Sequence, residues 1–181
     1  LKALQRSIIA RQLAQDEGVG TAESVQISAM LYELGEYAVA LYSPQLMIQI
    51  EILCDETGKN QESASKEVTG VSYSELGRYI AGKWKMPRAT IAAMNPNLNL
   101  EKEKRTLGLD EHQAVICSFA NDLCSIKMSM NEDDIGKQLL EATDRYKNCL
   151  DISPSKAVEL LNLSRNKIKT HTRVLKTAQK N

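Results

Sequence analysis

Aromatic side chains are scarce in this chain: one Phe, one Trp and six Tyr among 181 residues. Leu, Ile, Val, Ala and Met must therefore fill the interior, and at 43% apolar content there are enough residues for a substantial core. No stretch approaches the run of about eighteen apolar residues that a membrane-spanning helix needs, so no span and no membrane partner is expected. The four cysteines, Cys54, Cys117, Cys124 and Cys149, show no Cys-x-x-Cys spacing. They read as small reduced core residues of a cytoplasmic protein rather than a zinc or disulfide site. Histidine is nearly absent, with His112 and His171 alone and both far downstream. Gly18-Val19-Gly20 and Gly35 follow no strand, so neither forms a phosphate loop. No Ser or Thr stands in a motif with the histidine and carboxylate that nucleophilic catalysis needs. The chain opens on Leu1 with no visible leader, and it is expected to be a piece of a longer protein.

Charge balances overall but not along the chain. Residues 1–75 carry 5 basic and 11 acidic groups, and residues 76–181 carry 18 and 12. The last eighteen residues hold six Lys or Arg and no acid. Such a tail is ordinarily a solvated helix face, although it could meet an acidic partner or nucleic acid.

What the chain does have is helical spacing throughout. Leu1, Leu4, Ile8 or Ile9, and Leu13 repeat at the interval of one helix face. In residues 25–41 the apolar side chains fall on almost every face, as in a helix surrounded by others. One continuous helix is expected from Thr21 or Ala22 to Ser43-Pro44. Inside it, Tyr32-Glu33-Leu34-Gly35 places an acid and a glycine. Glycine there costs about 1 kcal/mol relative to alanine, so a neighbour should need the space. A similar phrase follows at Tyr73-Ser74-Glu75-Leu76-Gly77. Further helices are expected over residues 44–55, 61–68, 73–84 and 87–94. The third of these opens with the capping-box pattern Ser72-x-x-Glu75. Asp110 is expected to cap a helix to about Ile126. Asn131 with Glu132, Asp133 and Asp134 marks the acidic start of another, and Ser153-Pro154 begins the last. His112 reads as an exposed first-turn residue. Trp84 reads as a core residue whose neighbours Arg78, Lys83 and Lys85 reach water. Nothing alternates as a strand would.

These phrases, in order, resemble the HDOD (HD-related output domain) family, helical relatives of the HD metal-dependent phosphohydrolases found in bacterial signalling proteins. Residues 9–14, Ile-Ala-Arg-Gln-Leu-Ala, resemble the family's first helix. Residues 28–35, Ser-Ala-Met-Leu-Tyr-Glu-Leu-Gly, resemble its Gly-Leu-Leu-His-Asp-Ile-Gly segment. Residues 67–77 resemble its Glu-x-x-Gly-x-x-His-Ala-Glu-x-Gly segment. Trp84-Lys85-Met86-Pro87 stands where the family has Trp-x-x-Pro, seven residues beyond the glycine. The resemblance implies an all-α, HD-domain-like bundle of about eight or nine helices. It would be a single domain over 1–181 that lacks the family's N-terminal helices, with 1–98 best matched and 99–181 a helical continuation.

The departures bear on function. HD hydrolases hold their metal with neutral imidazoles and a carboxylate. Here the His-Asp pair is Tyr32-Glu33, the later histidine is Tyr73, and the family's following His-His falls at Asn97-Leu98. The first-helix histidine falls near Lys2. A phenol with a pKa of about 10 is a poor ligand at neutral pH, and one carboxylate cannot replace the lost set. Glu33 is read as a buried or rim acid bonded to a neighbouring donor, Tyr32 as filling the old ligand space, and Tyr73 as packing. No catalytic residue, metal or cofactor is expected.

The tail from Ser153 admits two readings. It matches the spacing of a helix-turn-helix, with Arg165, Lys167, Lys169 and Arg173 as candidate nucleic-acid contacts. It also reads as one long helix with Val158, Leu161, Ile168 and Leu175 at heptad-like steps, which is the reading adopted. The function expected is a non-catalytic output or regulatory module of a bacterial response-regulator type, with another signalling domain or protein as its partner. The alternatives are a divergent metal-dependent phosphohydrolase and a DNA-binding regulator using the basic tail.

Overall fold

The computed structural model describes residues 1–126 and 131–178, the side chains of 132 and 171–178 excepted. Among the described residues the chain is all-helical: α1 (Lys2–Glu17), α2 (Ala22–Met30), α3 (Leu34–Tyr42), α4 (Pro44–Thr57), α5 (Gln61–Thr69), α6 (Tyr73–Lys83), α7 (Arg88–Ala93), α8 (Leu109–Ser125), α9 (Glu132–Tyr146) and α10 (Pro154–Ala178), with a 3-10 turn at Lys104–Thr106. No single helix there is long and apolar enough to cross a membrane.

The caps follow the sequence. Thr21 accepts from the Ser24 N–H and Asn60 from the Ser63 N–H, starting α2 and α5. Both halves of the Ser72/Glu75 capping box form, with Ser72 N–H on the Glu75 carboxylate at 2.8 Å and Glu75 N–H on Ser72 Oγ at 3.2 Å. Asn131 accepts from the Asp134 N–H and opens α9. The α8 start differs from expectation. Its N-cap is Gly108 rather than Asp110, because the Glu111 carboxylate reaches back to the Gly108 N–H at 3.0 Å.

Among the described residues the core falls into two main bodies and a small third one at Leu34, Ala81 and Met94. The larger joins α1, α2, α8, α9 and α10 around Ile9, Leu13, Val25, Phe119, Tyr146 and Leu160. The smaller joins α3 to α6 around Val39, Ile50, Ala64 and Tyr73. With one Phe available, aliphatic side chains carry most of this burial, each worth about 1.5–3 kcal/mol when fully removed from water.

The expected central helix is two helices. It breaks at residues 31–33, where Leu31 (φ −91°, ψ 3°) and Glu33 (φ −102°, ψ 32°) leave helical geometry. That break makes ten α-helices where eight or nine were expected. In an unbroken helix the Ala29 carbonyl would accept from the Glu33 N–H; instead Arg6 Nε donates to it at 2.6 Å. The expectation of burial on almost every face of residues 25–41 is not met: Ile27, Met30 and Leu41 are exposed, and the buried side chains Val25, Ala29, Leu34 and Val39 belong to two successive short helices.

The glycine of that segment has a clear reason. A Cβ on Gly35 would lie 2.0 Å from the Tyr73 carbonyl oxygen and 2.9 Å from the Gly77 nitrogen, and one on Gly77 would lie 3.0 Å from the Gly35 nitrogen. The two similar phrases therefore cross backbone to backbone, joining α3 to α6 at a spacing that no other residue permits.

Two surface assignments change, at His112 and Trp84, while the tail keeps the form adopted for it. His112 is buried, not exposed: its Nε2 lies 3.5 Å from Glu17 Oε2, the oxygen that Lys104 Nζ approaches to 2.6 Å. The turn that carries α8 back against the end of α1 brings it inside. Trp84 is 61% exposed, because it ends α6 just before the chain turns at Lys85 with φ 55°. The tail is one helix, α10, with no turn to separate a recognition helix. Arg165 is half-buried on it and Lys167 and Lys169 are exposed, with Lys167 lining a groove against α1. The Arg173 and His171 side chains lie outside the described residues.

Gly35→Ala is expected to lose about 3 kcal/mol in urea unfolding, the upper part of the overpacking range, and Gly77→Ala less. Gly136→Ala, exposed in α9 with nothing within 4 Å of its Cβ, should gain about 0.5–1 kcal/mol. Burial lowers the His112 pKa from its ordinary value; Glu17 opposes this, and Lys104 adds to it. The unfolded state therefore takes the proton more readily than the folded one. Stability should fall as pH drops below about 6.5, by at most about 1.4 kcal/mol per pH unit from this group. His112→Gln should flatten that part of the Tm–pH curve.

Candidate functional site

The residues at the family's ligand positions converge, but not all of them. Lys2, Tyr32, Glu33 and Tyr73 line one cleft of about 260 Å³, together with Glu36, Glu62 and Asn121. They come from the start of α1, the α2–α3 break, and the start of α6. Asn97 is not among them. Its loop carries it into an adjoining cleft over α7 and α8, so the Asn97 assignment to this site is corrected. The expectation placed it by sequence register alone, and the Asn95-Pro96-Asn97 turn directs it elsewhere.

The centre of the site is a residue that the sequence reading passed over. Arg6 is fully buried, and each of its three guanidinium nitrogens has a partner. Nε donates to the Ala29 carbonyl at 2.6 Å, Nη1 donates to Asn121 Oδ1 at 2.7 Å and meets Glu33 Oε2 at 2.9 Å, and Nη2 donates to the Tyr37 hydroxyl at 3.0 Å. Its carbon also stands 5.2 Å from the Tyr32 ring centroid, within cation–π range. Lys2 Nζ takes the other oxygen of Glu33 at 2.6 Å, and the Tyr37 hydroxyl donates to Glu33 Oε2 at 3.1 Å. Arg6 lies on the same helical stripe as Lys2, Ile9 and Leu13. A charged residue on an apolar stripe was the available signal.

The electrostatics follow from that arrangement. Burial would raise the Glu33 carboxyl, but Arg6 and Lys2 outweigh it and hold the group below its usual value. Burial likewise opposes the Arg6 charge, and Glu33 and Tyr37 more than restore it. Arg6 sits at the C-terminal end of α2 and Glu33 at the N-terminal end of α3, so each charge also complements a helix dipole. The tyrosines move the opposite way. Burial raises both phenols, Tyr73 to about 12 with Glu36 and Glu51 adding to it, so neither is a phenolate at neutral pH.

From Tyr32 a chain of hydroxyls leads away from the cleft. Tyr32 donates to Ser118 at 3.4 Å, Ser118 meets Tyr146 at 2.8 Å, and Tyr146 donates to Asp122 at 2.8 Å, where Arg145 also binds. The replacement for the lost histidine is thereby tied to α8 and α9.

These residues do not fit a divalent cation. Both Glu33 oxygens already hold cations, and a third positive charge would stand within contact distance of a buried guanidinium. Among the described residues, no group of three or more His, Cys, Asp or Glu side chains could hold a metal. The arrangement suits recognition and packing rather than Lewis-acid chemistry.

Comparison with known proteins bears on the family. The family description "HDOD domain" matches residues 1–99. No curated protein matches the chain. Among solved structures, a candidate phosphohydrolase from Shewanella amazonensis SB2B is similar at TM-score 0.67 and 16% identity, over 89% of this chain and 57% of that one. An HDOD domain protein of unknown function from Geobacter sulfurreducens is similar at TM-score 0.67 and 18% identity, over 93% and 59%. This chain thus spans somewhat over half the length of each. The match across residues 1–99, supported by the shared helical fold, places the chain in the HDOD domain family.

Proposed function

We propose that this HDOD domain is a non-catalytic module that passes a signal by contact with another domain or protein in a bacterial regulator. The observation that carries this reading is the Arg6–Glu33 pair. An HD hydrolase holds a metal ion among imidazoles and a carboxylate; next to the residues at the corresponding sequence positions, this chain has a guanidinium among a carboxylate, an amide and two phenols. A guanidinium cannot activate water as a metal ion does, because it has no open coordination position and gives up no proton near neutral pH. The pocket keeps the connection of α1, α2, α3 and α8 while lacking the donors for hydrolysis. A connection of that kind can couple movements of these helices to a partner that binds two arrangements unequally.

A purified chain titrated with Mn2+, Mg2+ and Zn2+ should retain none at this cleft, and should hydrolyse bis(p-nitrophenyl) phosphate no faster than buffer with those ions. Stoichiometric metal that is lost in Glu33→Gln, together with turnover, would sink the reading in favour of a divergent phosphohydrolase. Adding EDTA should leave Tm unchanged, since a guanidinium holds the site together.

Arg6→Met should destabilise the fold by about 3 kcal/mol or more in denaturant unfolding, the usual loss when one member of a buried ion pair is removed. The double variant Arg6→Met/Glu33→Gln should recover about 1–3 kcal/mol relative to additive losses, because it removes the stranded carboxylate as well. Fully additive losses would show that the two side chains act separately.

A further inference from the structure

Next to the Glu33 cleft, and sharing no lining residue with it, lies a second cleft of about 440 Å³ formed by α6, α7, the segment 95–107 and the start of α8. That volume is in the range of small-molecule sites. Leu98 and Val115 contribute to an apolar floor, while the rim is charged. Arg78 and Arg88 both line it, and neither makes an ion pair among the described residues. Arg78 only donates Nε to the Ser74 carbonyl at 3.4 Å. Arg88, the first residue of α7, is exposed and makes no internal hydrogen bond there. The one lysine on the rim, Lys102, is already bound by Glu111.

The polar groups are divided in the same way. The side chains of Asn95 and Asn99 accept from backbone N–H groups and hold the loop. Asn97 lines the cleft, and its side chain makes no hydrogen bond among the described residues. Asp110, in the first turn of α8, is a carboxylate with no cation bound to it among the described residues.

Two unpaired guanidiniums on a concave wall attract an oxyanion, and their planar forks match phosphate oxygens. The apolar floor takes a flat, weakly hydrated body. A free carboxylate and a free amide on the same rim take hydrogen-bond donors such as ribose hydroxyls and exocyclic base amines. Inorganic phosphate would use only the first of these features. We propose that this cleft binds a nucleoside phosphate, with its phosphate on Arg78 and Arg88, its base over Leu98 and Val115, and its donors on Asp110 and Asn97. The site stands whether or not the Glu33 cleft is catalytic.

Calorimetric titration of the whole chain with AMP, GMP, CMP and UMP, beside adenosine and inorganic phosphate, tests this. At least one nucleotide should bind about tenfold more tightly than either fragment, since only it engages wall and floor together. Arg88→Ala should weaken that nucleotide by about tenfold or more with Tm unchanged, because the side chain makes no internal contact that folding needs. Arg105→Ala, exposed outside the cleft and paired with Glu103, should bind as the unaltered chain does. No nucleotide exceeding phosphate, or undiminished binding by Arg88→Ala, would overturn the assignment.

Discussion

Arg6 carries a full positive charge into a position with no solvent exposure, and each of its contacts decides something else in the structure. Its hold on the Ala29 carbonyl occupies an acceptor that a continuous helix would use, at the point where the chain divides into α2 and α3. Its pairing with Glu33 places opposite charges at the facing ends of those two helices. Its bond to Asn121 ties the same point to α8. Burying such a group is costly unless it is bonded, and here each of the three guanidinium nitrogens has a partner. The α2–α3 break and the Glu33 carboxylate are thus both held by one side chain.

Around that point the smaller core is attached by shape rather than charge. The α3–α6 crossing at Gly35 and Gly77 brings two backbones within contact, and Tyr73 turns into the core formed with Val39, Ile50 and Ala64. α6 then borders both clefts. Its start, at Tyr73, lines the one closed by Arg6 and Glu33, and Arg78 lines the open one. The glycine crossing therefore sets the position of two surfaces of different character: one where Glu33 is held by Arg6 and Lys2, the other where Arg78 and Arg88 make no ion pair among the described residues.

Much of this was legible in the residues. Caps at Thr21, Ser72 and Asn131 are local hydrogen bonds, and each formed where its pattern stood. The need for space beside Gly35 was visible from the cost of a glycine within a helix, although not what would fill that space. The cleft position of Tyr32, Glu33 and Tyr73 was legible through family resemblance. Asn97 was misplaced by the same route, because a register says nothing of where a turn points. His112 was misjudged because a first-turn position is exposed only if nothing packs over it, and the end of α1 does.

The sequence by itself determined the helical class, most helix boundaries and the absence of imidazole from the ligand positions, since these depend on residue type and on neighbours within a few positions. Only the tertiary structure decided that the apolar central segment breaks, that the two glycine phrases meet, and that a buried guanidinium from the first helix holds the Glu33 carboxylate that lines the cleft. Those outcomes join residues 6, 29, 33, 37 and 121, and no periodicity along a chain encodes which distant carbonyl or carboxylate a buried charge will find.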